Sequence, residues 1–121
     1  MGRLRIDRIT GPATRLVVAD ETLCRRAHCA RSRLARLVGL LATADLADDE
    51  AVWIEGCRSV HTLGLRAPIG CAFIDVRGRV VRVVDPLPRW RIASARGASA
   101  VVECRAGVLG RVAPGDVLRL R

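Results

Sequence analysis

Lysine and tyrosine are absent from this chain, and its only aromatic residues besides histidine are Trp53, Phe73 and Trp90. With so few rings, the core must be packed from aliphatic side chains. Base stacking would have only the two tryptophans as large candidates, and both fall in segments expected to be packed strands. No apolar run approaches the roughly 20 residues that cross a bilayer. Met1 to Thr10 alternates charged and apolar residues instead of carrying the apolar stretch of an export signal. These absences predict a cytoplasmic protein without a membrane span. Three signatures of site chemistry are missing as well. No Gly-x-Ser-x-Gly elbow surrounds a serine. Gly107-Val-Leu-Gly110 is too short for a phosphate loop and no Lys-Ser/Thr follows it. The cysteines lack the tight Cys-x-x-Cys spacing of zinc knuckles. No metal and no cofactor is expected.

What is present is aliphatic and basic. Half of the 121 residues are hydrophobic, mainly Ala, Val, Leu and Ile, and the formal net charge is +9. Such a charge suits anionic partners. All 21 basic residues are arginine, however, and together with the abundant Ala, Val and Gly this is also the coding bias of a GC-rich genome. The length fits one domain, residues 1–121, able to bury about two-thirds of its unfolded surface. Five cysteines make an odd number, and in a reducing compartment they stay free thiols. Cys71 and Cys104 stand in apolar strand patterns, where a thiol acts as a small buried hydrophobe. Cys57 with His61, or Cys24 and Cys29 with His28, compose a zinc set only on paper.

Along the chain, Leu4 to Thr10 and Arg15 to Asp20 read as strands around the Gly11-Pro12 turn. From Cys24 to Leu41 the period changes. Leu23, Ala27, Ala30, Leu34, Leu37, Val38 and Leu41 fall on one face at about 100° per residue, with Arg25, Arg26, Arg33 and Arg36 largely opposite, which predicts an amphipathic helix. An acidic loop, Asp45 to Glu50, follows. Ala51 to Glu55 reads as a strand; Cys71 to Asp75 and Val80 to Val84 read as a hairpin about Gly78. Pro86 and Pro88 interrupt the pattern, Ala98 to Cys104 reads as a buried strand, and Pro114-Gly115-Asp116 turns into a last strand, Val117 to Leu120.

Three strings give the chain a familiar outline. They are Ala30-Arg-Ser-Arg-Leu-Ala-Arg36-Leu-Val-Gly39-Leu40; Ser59-Val-His61-Thr62-Leu-Gly-Leu-Arg66-Ala-Pro68-Ile69 followed by Ala72-Phe73-Ile74-Asp75; and Val101-Val-Glu103-Cys-Arg-Ala106-Gly107 with Pro114-Gly115-Asp116. On these the chain resembles, from about residue 15 to 120, the uncharacterised bacterial and archaeal proteins grouped as domain-of-unknown-function family 192. The resemblance implies a compact β-rich domain with a polar patch around His61-Thr62, and no assigned activity. Two positions depart from the family's usual residues: Gly70 stands where Asp follows Pro-Ile, and Leu41 where Met follows Gly-Leu.

The candidate site is His61, Thr62, Arg66, Asp75 and Glu103. An imidazole, a hydroxyl and a guanidinium near a carboxylate suit the binding of an anion or the movement of a proton. In the competing structural reading, His61 caps backbone groups while Arg66 pairs with Glu103 or Asp75 to hold two strands together. The expected architecture is α+β and mostly β: a compact antiparallel barrel-like or strongly curved sheet with one main helix at about residues 24–41. The expected function is a non-enzymatic binding or accessory module for a small anionic ligand or a protein partner. One alternative is a hydrolase-like enzyme with His61 as general base, Arg66 steadying negative charge and Glu103 or Asp75 orienting the imidazole. The other is nucleic-acid binding through Arg25, Arg26, Arg33 and Arg36 of the helix.

Overall fold

Alternating and continuous aliphatic runs build nine strands in a computed structural model that describes residues 14–30, 46–65 and 67–121. They are β1 (Thr14–Val18), β2 (Glu21–Ala30), β3 (Glu50–Glu55), β4 (Ser59–His61), β5 (Ile69–Ile74), β6 (Val80–Leu87), β7 (Ile92–Ser94), β8 (Ala100–Arg105) and β9 (Leu118–Leu120). Seven form one sheet in the order β6-β5-β8-β3-β2-β1-β9, and β4 pairs with β7 in a second, two-stranded sheet. Every pairing is antiparallel except β2 with β3. The middle of the large sheet is covered on both faces, so β5 reads Ile-Gly-Cys-Ala-Phe-Ile with all six residues buried.

The large sheet curls until its edges meet. Arg79 bridges to Val117, the Val80 N–H donates to the Asp116 carbonyl at 2.8 Å, and the Leu118 N–H donates to the Gly78 carbonyl at 2.9 Å. Gly78 sits at φ +84°, and a Cβ there would lie 2.6 Å from the Leu118 carbonyl oxygen, so the seam admits only glycine. Inside the curl, Leu16, Cys24, Ala27, Ala51, Ala72, Ile74, Val102, Cys104 and Leu118 form one core. The other face carries Ile69, Cys71, Phe73 and Val101 under the inward Val60 and Ala93 of the small sheet, with Ala30, Leu46, Val52 and Ile54 alongside.

The expected α+β class with a main helix at 24–41 is corrected: among the described residues the chain is all β. Residues 24–30 belong to β2, where Arg26 to Ala30 pair in register with Glu50 to Ile54; residues 31–41 lie outside the described set. The misleading period has a physical source. Thr14 faces Ala27 while Leu16 faces Cys24, so β2 carries an extra residue there and its buried positions fall three apart, at 24 and 27. Beyond the bulge both faces are covered, and Ala27, His28 and Ala30 are all buried. A bulged strand buried on both sides thus imitates the spacing of an amphipathic helix.

The first expected strand, Leu4 to Thr10, lies outside the described residues. β1 instead turns directly into β2 through Ala19 and Asp20, both at positive φ, as a two-residue hairpin loop requires. The hairpin about Gly78 forms as expected. Pro86 lies within β6, an edge strand, where a missing N–H costs no ladder bond.

Candidate functional site

His61 and Thr62 come from the small sheet. His61 is opposite Ile92 in the β4–β7 ladder and both are exposed, because the neighbouring Val60 and Ala93 turn inward onto the large sheet. Among the described residues no carboxylate lies within ion-pair reach of the His61 ring. Thr62 is fully buried and its hydroxyl is committed to the chain: it donates to the Pro88 carbonyl at 2.5 Å and accepts from the Arg91 N–H at 3.0 Å. The Thr62 carbonyl accepts from the N–H of Trp90 at 3.3 Å and of Leu65 at 3.1 Å. One threonine therefore fastens the 88–91 turn, in which Trp90 holds φ 62° and stays 58 % exposed. The expectation that Trp90 is packed in a strand is corrected. Arg66 lies outside the described residues.

Asp75 and Glu103 are elsewhere. Asp75 follows β5, and its Oδ1 accepts the backbone N–H groups of Arg79 at 3.0 Å and Arg77 at 2.8 Å, which hold the carboxyl below the usual carboxylate range. It builds the Gly78 turn. Glu103 is completely buried in β8, between Val52 of β3 and Cys71 of β5. Ile74 faces Ala100 as Cys71 faces Glu103, so Asp75 and Glu103 are about four strand residues, roughly 13 Å, apart. Burial, with Glu103 beside it, pushes the Cys71 thiol up.

A buried polar set that the sequence reading did not assemble lies on the same face as Glu103. His28 pairs with Val52 across the β2–β3 ladder, so His28, Val52, Glu103 and Cys71 form one row across four strands. His28 Nε2 lies 3.2 Å from Glu50 Oε2, with both side chains at most 5 % exposed. Arg26 reaches the other Glu50 oxygen at 3.5 Å, and the Ala47 N–H donates to it at 3.1 Å. The carboxylate accepts, so Nε2 carries the hydrogen; Nδ1 is buried without a hydrogen bond. This arrangement fixes β2 to β3 rather than serving an open cleft. Its only sequence signal was a glutamate at the start of a strand, which read as the end of an acidic loop. Among the described residues no three His, Cys, Asp or Glu side chains converge as a metal site requires. Cys24 and His28, two of the paper zinc ligands, face opposite sides of the sheet.

Gly70 and the arginines complete the candidates. A Cβ at Gly70 would lie 2.8 Å from the carboxyl carbon of Asp85, so the place of a side chain at 70 is filled from β6. There the Asp85 oxygens accept the N–H groups of Gly107 at 2.7 Å and Leu109 at 2.8 Å. Of the helix arginines, Arg25 and Arg26 are exposed on β2, Arg26 beside Glu50; Arg33 and Arg36 lie outside the described residues. The small sheet is ringed differently. Arg58 precedes β4, Arg96 follows β7, Arg89 and Arg91 flank Trp90, and the Arg82 guanidinium donates to the Ser94 carbonyl at 2.6 Å. All five are exposed and none has a carboxylate partner among the described residues. Elsewhere Arg105, Arg111 and Arg121 pair with Asp48, Glu21 and Asp20, while Arg15, Arg25, Arg77, Arg79 and Arg119 have no carboxylate partner among the described residues.

Comparison with known proteins adds a fold and a family. A provisionally assigned transcription regulator of Sinorhizobium meliloti 1021 superposes with TM-score 0.72 at 23% identity, over 88% of this chain and 91% of its own. A protein of unknown function from Novosphingobium aromaticivorans DSM 12444 superposes with TM-score 0.74 at 20% identity, over 98% of this chain and 91% of its own. At these identities the likeness shows a shared fold. No curated protein matches the chain. Residues 15–120 match domain-of-unknown-function family 192, described as "Uncharacterized ACR", and the chain belongs to that family of uncharacterised proteins.

Proposed function

We propose that the chain is a non-enzymatic binding module whose contact surface is the outer face of the β4–β7 sheet around His61, and that its partner is anionic. The observation that carries this reading is the ring of five exposed arginines, Arg58, Arg82, Arg89, Arg91 and Arg96, without a carboxylate among the described residues. Guanidinium groups that meet no carboxylate leave a positive potential that an anionic partner neutralises by charge-assisted hydrogen bonds. Arg66, by sequence in the segment that follows His61, adds a further positive charge to that segment.

A hydrolase built on His61 is less well supported. A general base needs a partner that orients its ring. Glu103 is buried on another element, and the Asp75 carboxylate is engaged by its own turn. Thr62 serves the surface indirectly, by holding the 88–91 turn in place.

Thermal shift against inorganic phosphate, citrate and polyglutamate tests the reading, since a ligand that prefers the folded state raises the melting temperature. A rise with polyglutamate that is lost in Arg58→Gln/Arg96→Gln supports it. A rise of equal size in wild type and double variant, or none with any anion, overturns it.

A further inference from the structure

The arginine ring surrounds an apolar centre. Ile92 is 66 % exposed, Trp90 58 % and Leu63 44 %, three of the five large hydrophobic side chains that the described chain exposes. They share one end of the small sheet. Ile92 is opposite His61 in the ladder, and the bonds between Thr62 and the backbone of Trp90 and Arg91 hold Leu63 and Trp90 at the same end of the small sheet. Trp90 is kept at φ 62°, a conformation that side chains other than glycine adopt rarely and at a cost. The fold therefore spends a strained residue to keep an indole in solvent, between Arg89 and Arg91. An apolar centre of tryptophan and isoleucine inside a rim of arginine is the composition of a protein-docking hot spot.

Resting on the reading above, we propose that this face docks an acidic segment of another protein, with an apolar side chain of that segment seated against Trp90 and Ile92. Charge complementarity selects the segment's sign, because the rim is all arginine and has no carboxylate partner among the described residues. Its apolar anchor follows from a centre that is largely aliphatic. A single-stranded nucleic acid would use successive stacking platforms, and the other tryptophan, Trp53, is half-buried in β3 with its Nε1 donating to Glu55 at 3.0 Å. A small ligand would use a concave site. The hollow of about 300 Å³ beside β1 and β9 is lined by Val17 to Asp20, Asp116, Val117 and Arg119, none of them in the small sheet or its loops.

The test measures binding of the intact protein to three labelled probes at equal ionic strength: a short peptide of Glu and Asp carrying two leucines, polyglutamate of equal length, and a mixed-sequence single-stranded oligonucleotide of similar length. The leucine-bearing peptide should bind at least about tenfold more tightly than polyglutamate, a difference on the scale of one good apolar anchor. Trp90→Ser and, independently, Ile92→Ser should abolish that advantage, so that each variant binds the two peptides equally. Arg58→Gln/Arg96→Gln should weaken both peptides. Equal affinity for the two peptides overturns the acidic-segment inference and leaves the anion-binding reading standing. Oligonucleotide binding that exceeds peptide binding and is lost in Trp90→Ser also overturns it, in favour of a nucleic acid. If no probe depends on Arg58 and Arg96, the anion-binding reading fails with it.

Discussion

The two sheets of this molecule treat polar groups in opposite ways. In the seven-stranded sheet three carboxylates are matched or given to the backbone: Glu50 meets His28 and Arg26, Asp85 takes two loop amides, and Asp75 takes two turn amides. Around the two-stranded sheet five arginines stand without an acid among the described residues, and a tryptophan is held out in an uncommon conformation. Stability selects the first pattern, since a buried polar group without a partner costs more than its bond returns. The second does nothing evident for stability. Where a small fold leaves charge unmatched and apolar surface uncovered on one three-residue ladder, the economical explanation is a partner.

The comparison is broken most severely from the shared layer. Phe73 is fully buried on the face that the small sheet covers, and Phe73→Ala should cost about 3–5 kcal/mol, measured by denaturant unfolding. Next is the carboxylate exchange at Gly70. Gly70→Asp would set a second carboxyl against Asp85 and should cost about 2–4 kcal/mol through like charge and crowding. Asp85→Gly should cost about 2–3 kcal/mol through the two loop amides it abandons. If the two positions share one carboxylate site, the double variant Gly70→Asp/Asp85→Gly should be more stable than the sum of the single losses predicts; strict additivity would show that the sites are independent.

Thr62→Val keeps the shape and deletes the hydroxyl, and should cost about 1–3 kcal/mol. It should also shift the fluorescence of Trp90, because the 88–91 turn loses its fastening. A variant that unfolds later than wild type would contradict the role given to this residue. A milder probe is alkaline pH. The folded Cys71 thiol titrates above its unfolded value, so its contribution is complete below about pH 8.5 and is lost as the pH rises from there. Melting temperature should fall above that pH in wild type and fall less in Cys71→Ala. The smallest stability effect belongs to Arg58→Gln/Arg96→Gln, within about 0.5 kcal/mol of wild type, because those side chains are exposed and have no carboxylate partner among the described residues.

Much of the large sheet was legible in the sequence because its signals are local. Asp75 and Gly78 mark a turn between two β-branched runs, and Ala51 to Glu55 and Ala100 to Arg105 are runs long enough to read. The helix reading over 24–41 failed at a feature with no local signal: a bulge whose extra residue is defined only by the partner strand. The small sheet failed to register for a different reason. Three residues of β4 and three of β7 are too short to show a period, and they pair across about thirty residues of chain. Of the candidate site, His61 and Thr62 were found through family resemblance, but Thr62 had to be seen in place before its structural task was clear. Arg58, Arg91 and Arg96 are ordinary arginines in an arginine-rich chain. What distinguishes them is that they gather about the small sheet beside exposed apolar side chains, which is a property of the fold.

The central claim is that the outer face of the β4–β7 sheet, and not the net charge of +9 as a whole, takes the anionic partner. The most direct measurement is the affinity for polyglutamate of wild type, of Arg58→Gln/Arg96→Gln, and of a control with the same charge loss on other surfaces, Arg77→Gln/Arg119→Gln. Each arginine removed from a true contact should cost about 1.5–3 kcal/mol as a charge-assisted bond. The account predicts at least a tenfold loss for the first pair and less than about a twofold loss for the control. Equal losses in the two variants would show that the chain binds anions by overall charge alone, and would contradict it.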